Sequence, residues 1–135
     1  MGKRLEHKKK VPVILVVEDH DNLRRSLVDW LASNYSDASI SEAKNGEEAV
    51  SMVPQKKPDV ILMDINMPGI NGLEATRLIK KSLPETNVVI LSIYESSEYR
   101  SKAEEAGATI YIPKSEMRSK LISVVCGLLL LKEKY

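Results

Sequence analysis

Phenylalanine is absent from this chain and tryptophan occurs once, so leucine, isoleucine, valine and methionine must fill the core. Cysteine also occurs once, at Cys126, which excludes an internal disulfide and suits a reducing cytoplasm. No apolar stretch reaches the roughly 20 residues that span a bilayer; the longest, "LISVVCGLLLL", has eleven. Charge of one sign is lacking too, since the whole chain sums to +1. That sum hides an asymmetry: "MGKRLEHKKK" holds five basic residues and one acidic, which leaves the body from residue 11 mildly acidic. The basic start followed by "VPVILVV" mimics the front of a signal peptide, but the apolar run is short and ends in "EDHD" with no small-residue cleavage site. Residues 1–10 are therefore expected to be a disordered leader or cloning remnant, with no nucleic acid bound, and residues 132–135 a short tail. The protein is expected to be cytoplasmic and to have no membrane partner.

What is present is a regular alternation. At 135 residues the chain fits one domain, with no internal repeat, low-complexity tract or linker. "VPVILVVE" (11–18), "DVILMD" (59–64) and "NVVILS" (87–92) are continuous apolar runs, the pattern of strands covered on both faces. "ASISEA" (38–43) and "TIYIP" (109–113) are shorter and mixed, as edge strands tend to be. Between them lie helical segments: 22–34 with Leu23, Leu27, Trp30 and Leu31 on one face, 46–53 with Ala49 and Val53, 73–82 with Ala75, Leu78 and Ile79, and a helix from 116. The segment 95–107 offers only Tyr99, Ala103 and Ala106 as a buried stripe, so its docking is expected to be weak. Strands separated by helical crossovers predict a parallel sheet with helices on both faces. Pro113 lacks an N–H and is tolerable where the fifth strand lies at an edge or ends.

Ligands of such sheets gather outside the carboxyl ends of the strands. Glu18 and Asp19 end the first strand, Asp64 the third and Ser92 the fourth, and Lys114 follows the fifth. A lone acid at a strand end is commonly a helix cap. Three carboxylates, a hydroxyl and an ammonium on one rim are harder to explain so, because gathered carboxylates repel unless a cation offsets them. Hard oxygen donors in that number suit Mg²⁺. Pro68 with Gly69 and Gly72 predicts a tight loop after Asp64.

"VVEDH", "LMDINMPGING", "ILS" and "IYIPK" together resemble the receiver domain of two-component response regulators, over about residues 11–130. The resemblance implies an α/β, flavodoxin-like (βα)5 three-layer sandwich with sheet order 2-1-3-4-5, forming a receiver domain over 11–131. It implies Asp64 as phospho-acceptor, Asp19 and Asp64 as Mg²⁺ ligands with the Asn66 backbone carbonyl, and Glu18 acting mostly through water. Lys114 would pair with the phosphoryl oxygens, and Ser92 and Tyr111 would be the switch pair. The implied donor is a sensor histidine kinase or small acyl phosphate. The implied role is a signalling domain, not an enzyme, assisting only its own phosphorylation and dephosphorylation. Glu18 stands where aspartate is commoner, Ser115 where many relatives have proline, and Ile93 is a bulky neighbour for Ser92. "GLEATRLIK" and "AGATIYIPK" look most like receivers of transcription regulators with a LuxR-type helix-turn-helix. The chain stops at residue 135, so a DNA-binding output domain is not expected within it.

Two other functions stay open on the residues. One is a phosphatase of the haloacid-dehalogenase type, although "DIN" lacks the second aspartate that would protonate a leaving group. The other is a pseudo-receiver acting only as an interaction module. On the final helix, Leu121, Val125, Leu128 and Leu129 form one core-facing stripe, while Ile122, Leu130 and Leu131 fall outside it. That surplus predicts self-association as a homodimer through this helix.

Overall fold

The computed structural model describes residues 11–134, with side chains through 131. The leader expected over 1–10 lies outside the described residues, as do the side chains of the tail expected over 132–135. Five strands alternate with five helices: β1 (Val13–Val17), α1 (Asp21–Asn34), β2 (Ser39–Ala43), α2 (Gly46–Lys56), β3 (Val60–Asp64), α3 (Gly72–Ser82), β4 (Asn87–Ser92), α4 (Ser97–Ala106), β5 (Ile110–Pro113) and α5 (Met117–Lys134). A 3₁₀ turn at Lys114–Glu116 leads into α5. All strand pairs are parallel, and the order is β2-β1-β3-β4-β5.

The apolar runs are continuous because each strand serves two cores. Leu15, Val17, Ile61, Met63, Val88 and Ile90 pack with Ala49, Val53, Ala75, Ile79 and Ala103 of α2, α3 and α4 on one face. Their alternates Ile14, Val16, Val60, Leu62, Val89 and Leu91 pack with Leu27 and Leu31 of α1 and Leu121 and Val125 of α5 on the other. The three-layer sandwich follows from this period of two. β2 and β5 are the edge strands and carry the mixed patterns, and Pro113 closes β5.

Three expectations change in detail. α2 runs through Pro54 to Lys56 instead of stopping at 53. A proline removes only its own N–H, and the last turn still closes through the Lys57 amide donating to the Val53 carbonyl, with Lys57 left-handed at φ 46°. On α3, Leu78 is 37% exposed; Leu73 and Thr76 are buried in its stead. At 100° per residue Gly72, Ala75, Thr76 and Ile79 share the inward face, and Leu78 sits past its edge. Trp30 and Leu23 of α1 are only partly buried, beside the buried Leu27 and Leu31. α4 buries just Ala103 and Ala106, and α5 buries the stripe Leu121, Val125, Leu128 and Leu129 expected of it.

Gly72 opens α3 against the end of β3: a Cβ there would lie 2.1 Å from the Asp64 carbonyl oxygen, and its amide donates to the Ile65 carbonyl at 2.9 Å. Gly127, midway along α5, has nothing within 4 Å of the equivalent position. Gly72→Ala is expected to cost about 2 kcal/mol or more, because backbone must move to admit the methyl group. Gly127→Ala is expected to gain about 0.5–1 kcal/mol through the unfolded chain and helix propensity. Urea unfolding of the two variants checks both signs.

Candidate functional site

The carboxyl ends of β1, β3, β4 and β5 converge, and they bring together the side chains anticipated from the sequence. Lys114 Nζ lies 3.2 Å from Glu18 Oε1 and 3.3 Å from Asp64 Oδ1. Glu18, Asp64 and Ser92 are all buried. The ammonium therefore bridges two carboxylates that have little water to solvate them. Asp19 is more open, yet its Oδ1 is buried and has no hydrogen-bond partner.

Local chemistry sets these positions. Glu18 and Asp19 directly follow β1, and the next residue, His20, is the N-cap of α1. Arg24, buried one turn into α1, donates from Nη1 to the Glu18 carbonyl at 2.8 Å, from Nε to Glu42 and from Nη2 to Asp21. It thereby ties the β1–α1 corner to α1 and β2. After β3, Gly69 adopts φ +82°, and the Ile70 amide donates to Glu47 Oε2 at 3.0 Å, so α2 props the loop that follows Asp64. Asn71 then caps α3 by accepting from the Glu74 amide.

Electrostatics divides the acids. Burial, and then the charge of Glu18, push the Asp64 carboxyl up to about 6, with Lys114 and the Asn66 amide offsetting part of the effect. Burial also opposes ionisation of Glu18, but the His20 amide and Lys114 outweigh it and hold that carboxyl below its usual range. The His20 ring faces both acids, with Nδ1 3.1 Å from Glu18 Oε2 and 3.5 Å from Asp19 Oδ1, and the Glu18 hydrogen bond raises its pKa.

Ser92 and Tyr111 do not touch each other through any hydrogen bond described here; Tyr94 joins them. Its amide donates to Ser92 Oγ at 3.0 Å, and its carbonyl accepts from the Tyr111 hydroxyl at 2.6 Å. The Tyr94 ring stacks on Tyr99 of α4 at 4.3 Å between centroids, and the Arg100 guanidinium lies 4.9 Å above the Tyr111 ring. The hydroxyl at the end of β4 is thus linked to α4 and β5 by one residue. Ile93, the bulky neighbour, is 62% exposed.

The family model for the response regulator receiver domain matches residues 14–126. The chain belongs to the receiver-domain family of two-component response regulators. It is 35% identical over 112 residues to the response regulator GacA of Pseudomonas aeruginosa, covering 83% of this chain and 52% of that protein. It is 37% identical over 112 residues to the transcriptional regulatory protein DegU of Brevibacillus brevis, covering 83% of this chain and 48% of that one. The receiver thus spans about half the length of these curated relatives. A crystal structure of a LuxR-family two-component response regulator from Aurantimonas sp. is similar at a TM-score of 0.83 and 29% identity, covering 90% of this chain and 86% of that one. Membership removes the motive for the phosphatase reading, and no helix among the described residues is long and apolar enough to cross a membrane.

Sequence reasoning missed three members of the receiver's rim: His20, Arg24 and Tyr94. For His20 a signal was available, since it directly follows the acid pair in "VVEDH". The bonds that tie Arg24 and Tyr94 to the rim involve backbone carbonyls and amides, which no side-chain pattern announces.

Asp64 yields a pH prediction. An unfolded aspartate titrates near 4, whereas the folded group titrates at about 6. The folded state therefore binds this proton more tightly, and stability from the neutral form is lost as pH rises from roughly 4 to 6. At neutral pH the ionised group costs on the order of 1–3 kcal/mol. Asp64→Asn is expected to stabilise the cation-free receiver at neutral pH, with the gain shrinking towards about pH 4. Urea unfolding in chelator at the two pH values measures it.

Proposed function

We propose that this receiver is a Mg²⁺-dependent switch phosphorylated on Asp64, with a sensor histidine kinase or a small acyl phosphate as donor. The observation that carries the reading is the Asp64 carboxylate, buried at the end of the central β3 and bridged by Lys114 to Glu18, together with the buried Asp19 Oδ1, which lacks a hydrogen-bond partner. A buried carboxylate oxygen without a donor fits a cation binding there, and the hard oxygen set suits Mg²⁺. Asp19, Asp64 and the Asn66 carbonyl would hold the ion, with Glu18 acting through water. When bound, Mg²⁺ supplies positive charge to the phosphoryl oxygens as they crowd onto an acidic rim.

The remaining steps belong to the chain. An Asp64 carboxylate oxygen attacks phosphorus in line, and the bond from phosphorus to the donor's nitrogen or acyl oxygen breaks with its electron pair leaving on the donor. Lys114 turns from the carboxylates to a phosphoryl oxygen. Ser92 Oγ, which accepts from the Tyr94 amide, donates its proton to another, and this exchange of the hydroxyl's proton partner pulls on the Tyr94 backbone. Because Tyr94 also accepts from Tyr111 and stacks on Tyr99, that exchange reaches α4 and β5. Transcription regulation through a DNA-binding output domain, as the names of the relatives suggest, is the proposed setting.

Incubation with acetyl phosphate and Mg²⁺ is expected to add one phosphoryl group in intact mass. The addition disappears in Asp64→Ala and on chelation of Mg²⁺; equal labelling of Asp64→Ala overturns the assignment.

Self-association through α5 completes the reading. Leu130 and Leu131 are each 56% exposed at the end of the helix, beyond the stripe it buries. Sedimentation is expected to show a dimer at high micromolar concentration, strengthened by a phosphoryl mimic and lost in a Leu130→Lys, Leu131→Lys variant. A wild type that stays monomeric in both states removes this interface.

A further inference from the structure

The rim holds a donor that hard-cation chemistry does not call for. His20 Nδ1, Glu18 and Asp19 each offer one ligand atom, all within 4.8 Å of one another. The imidazole nitrogen stands 3.1 Å from Glu18 Oε2 and 3.5 Å from Asp19 Oδ1. Donors that share one metal at about 2.1 Å lie about 3 Å apart, so these spacings, the first of them a His20–Glu18 hydrogen bond, suit a common ion that replaces the Nδ1 proton. The Asp19 oxygen facing His20 is the buried one that lacks a hydrogen-bond partner. His20 needs no rearrangement of backbone to take part, since it is fixed as the N-cap of α1 and its own amide donates to Glu18 Oε2.

We propose that His20 makes the cation site of this receiver selective for divalent transition metals over Mg²⁺, by adding an imidazole nitrogen to the carboxylate oxygens. The inference rests on the proposed cation site and adds to it a residue that sets which ion is preferred. Imidazole nitrogen suits Co²⁺, Ni²⁺ and Zn²⁺, whereas Mg²⁺ favours oxygen and keeps several waters. The ring is 75% exposed, so an ion bound between it and Asp19 keeps open positions for water or a phosphoryl oxygen. His20 is a specificity residue in this account; Asp64 remains the acceptor for whichever ion is bound.

The test uses Co²⁺ and Mg²⁺ separately with this chain carrying no added tag, at about pH 8, above the ordinary imidazole pKa of roughly 6.5. Affinity is read by calorimetry, and Co²⁺ ligation also by its visible absorption. In His20→Gln, Co²⁺ affinity is expected to fall at least tenfold and the absorption to change, while Mg²⁺ affinity stays within about twofold. The other histidine, His7, serves as a control: His7→Gln is expected to bind both ions as the wild type does. In Asp19→Asn both ions are expected to weaken together. A His20→Gln variant that loses Co²⁺ and Mg²⁺ in equal proportion, or neither, overturns the selectivity role. An Asp19→Asn variant that binds both ions as the wild type does overturns the cation site itself, which separates the two failures. If His7→Gln alone weakens Co²⁺, the nitrogen donor is His7 and the proposal falls.

Discussion

Charge balance at the carboxyl edge of the sheet is the constraint on which this receiver depends. Three carboxylates are held on one rim, two of them buried, and the ammonium of Lys114 is the side-chain cation that bridges the buried pair. Like charges at this spacing, with little water between them, are costly. The cost is visible in Asp64, whose carboxyl is pushed up to about 6, and in the buried Asp19 oxygen that lacks a hydrogen-bond partner. A rim so under-compensated has a standing affinity for positive charge.

The scaffold can hold that strain because the sheet beneath is packed on both sides. Each central strand alternates its side chains between two cores, so a shift of one residue in register would misplace both sets at once. The acids at the ends of β1 and β3 inherit this precision from Val17 and Met63, which pair directly across the strands. Beyond the strands the fixing is done by the backbone. Arg24 holds the Glu18 carbonyl, Glu47 holds the Ile70 amide, and the close approach of Gly72 to Asp64 leaves the loop after β3 little freedom.

The opposite end of the rim is built differently. α4 is anchored by two alanines and the Tyr94–Tyr99 stack, with none of the large aliphatic burial of α1 or α5. Sparse apolar packing belongs to the low-stability end of a fold. Ser92, Tyr94 and Tyr111 connect this loosely docked helix to the carboxyl end of β4 through two hydrogen bonds. A tightly packed half that holds the charged side chains and a loosely docked half therefore share one edge of the same sheet.

The sequence by itself determined the strand runs, their parallel pairing, the edge strands and the rim of Glu18, Asp19, Asp64, Ser92 and Lys114. Those properties follow from apolar content and from the rule that parallel strands end together, and both can be read along the chain. It also determined the core stripe of α5, because four residues at helical spacing admit one inward face. Tertiary structure alone decided that Leu78 turns outward and that α2 continues past Pro54, since each depends on which neighbours close the turn. It alone placed Tyr94 between Ser92 and Tyr111, Arg24 against a carbonyl, and His20 over the two acids. Such contacts join a side chain to a backbone atom or to a group whose orientation is set by a cap. Neither partner's direction exists until the chain has folded.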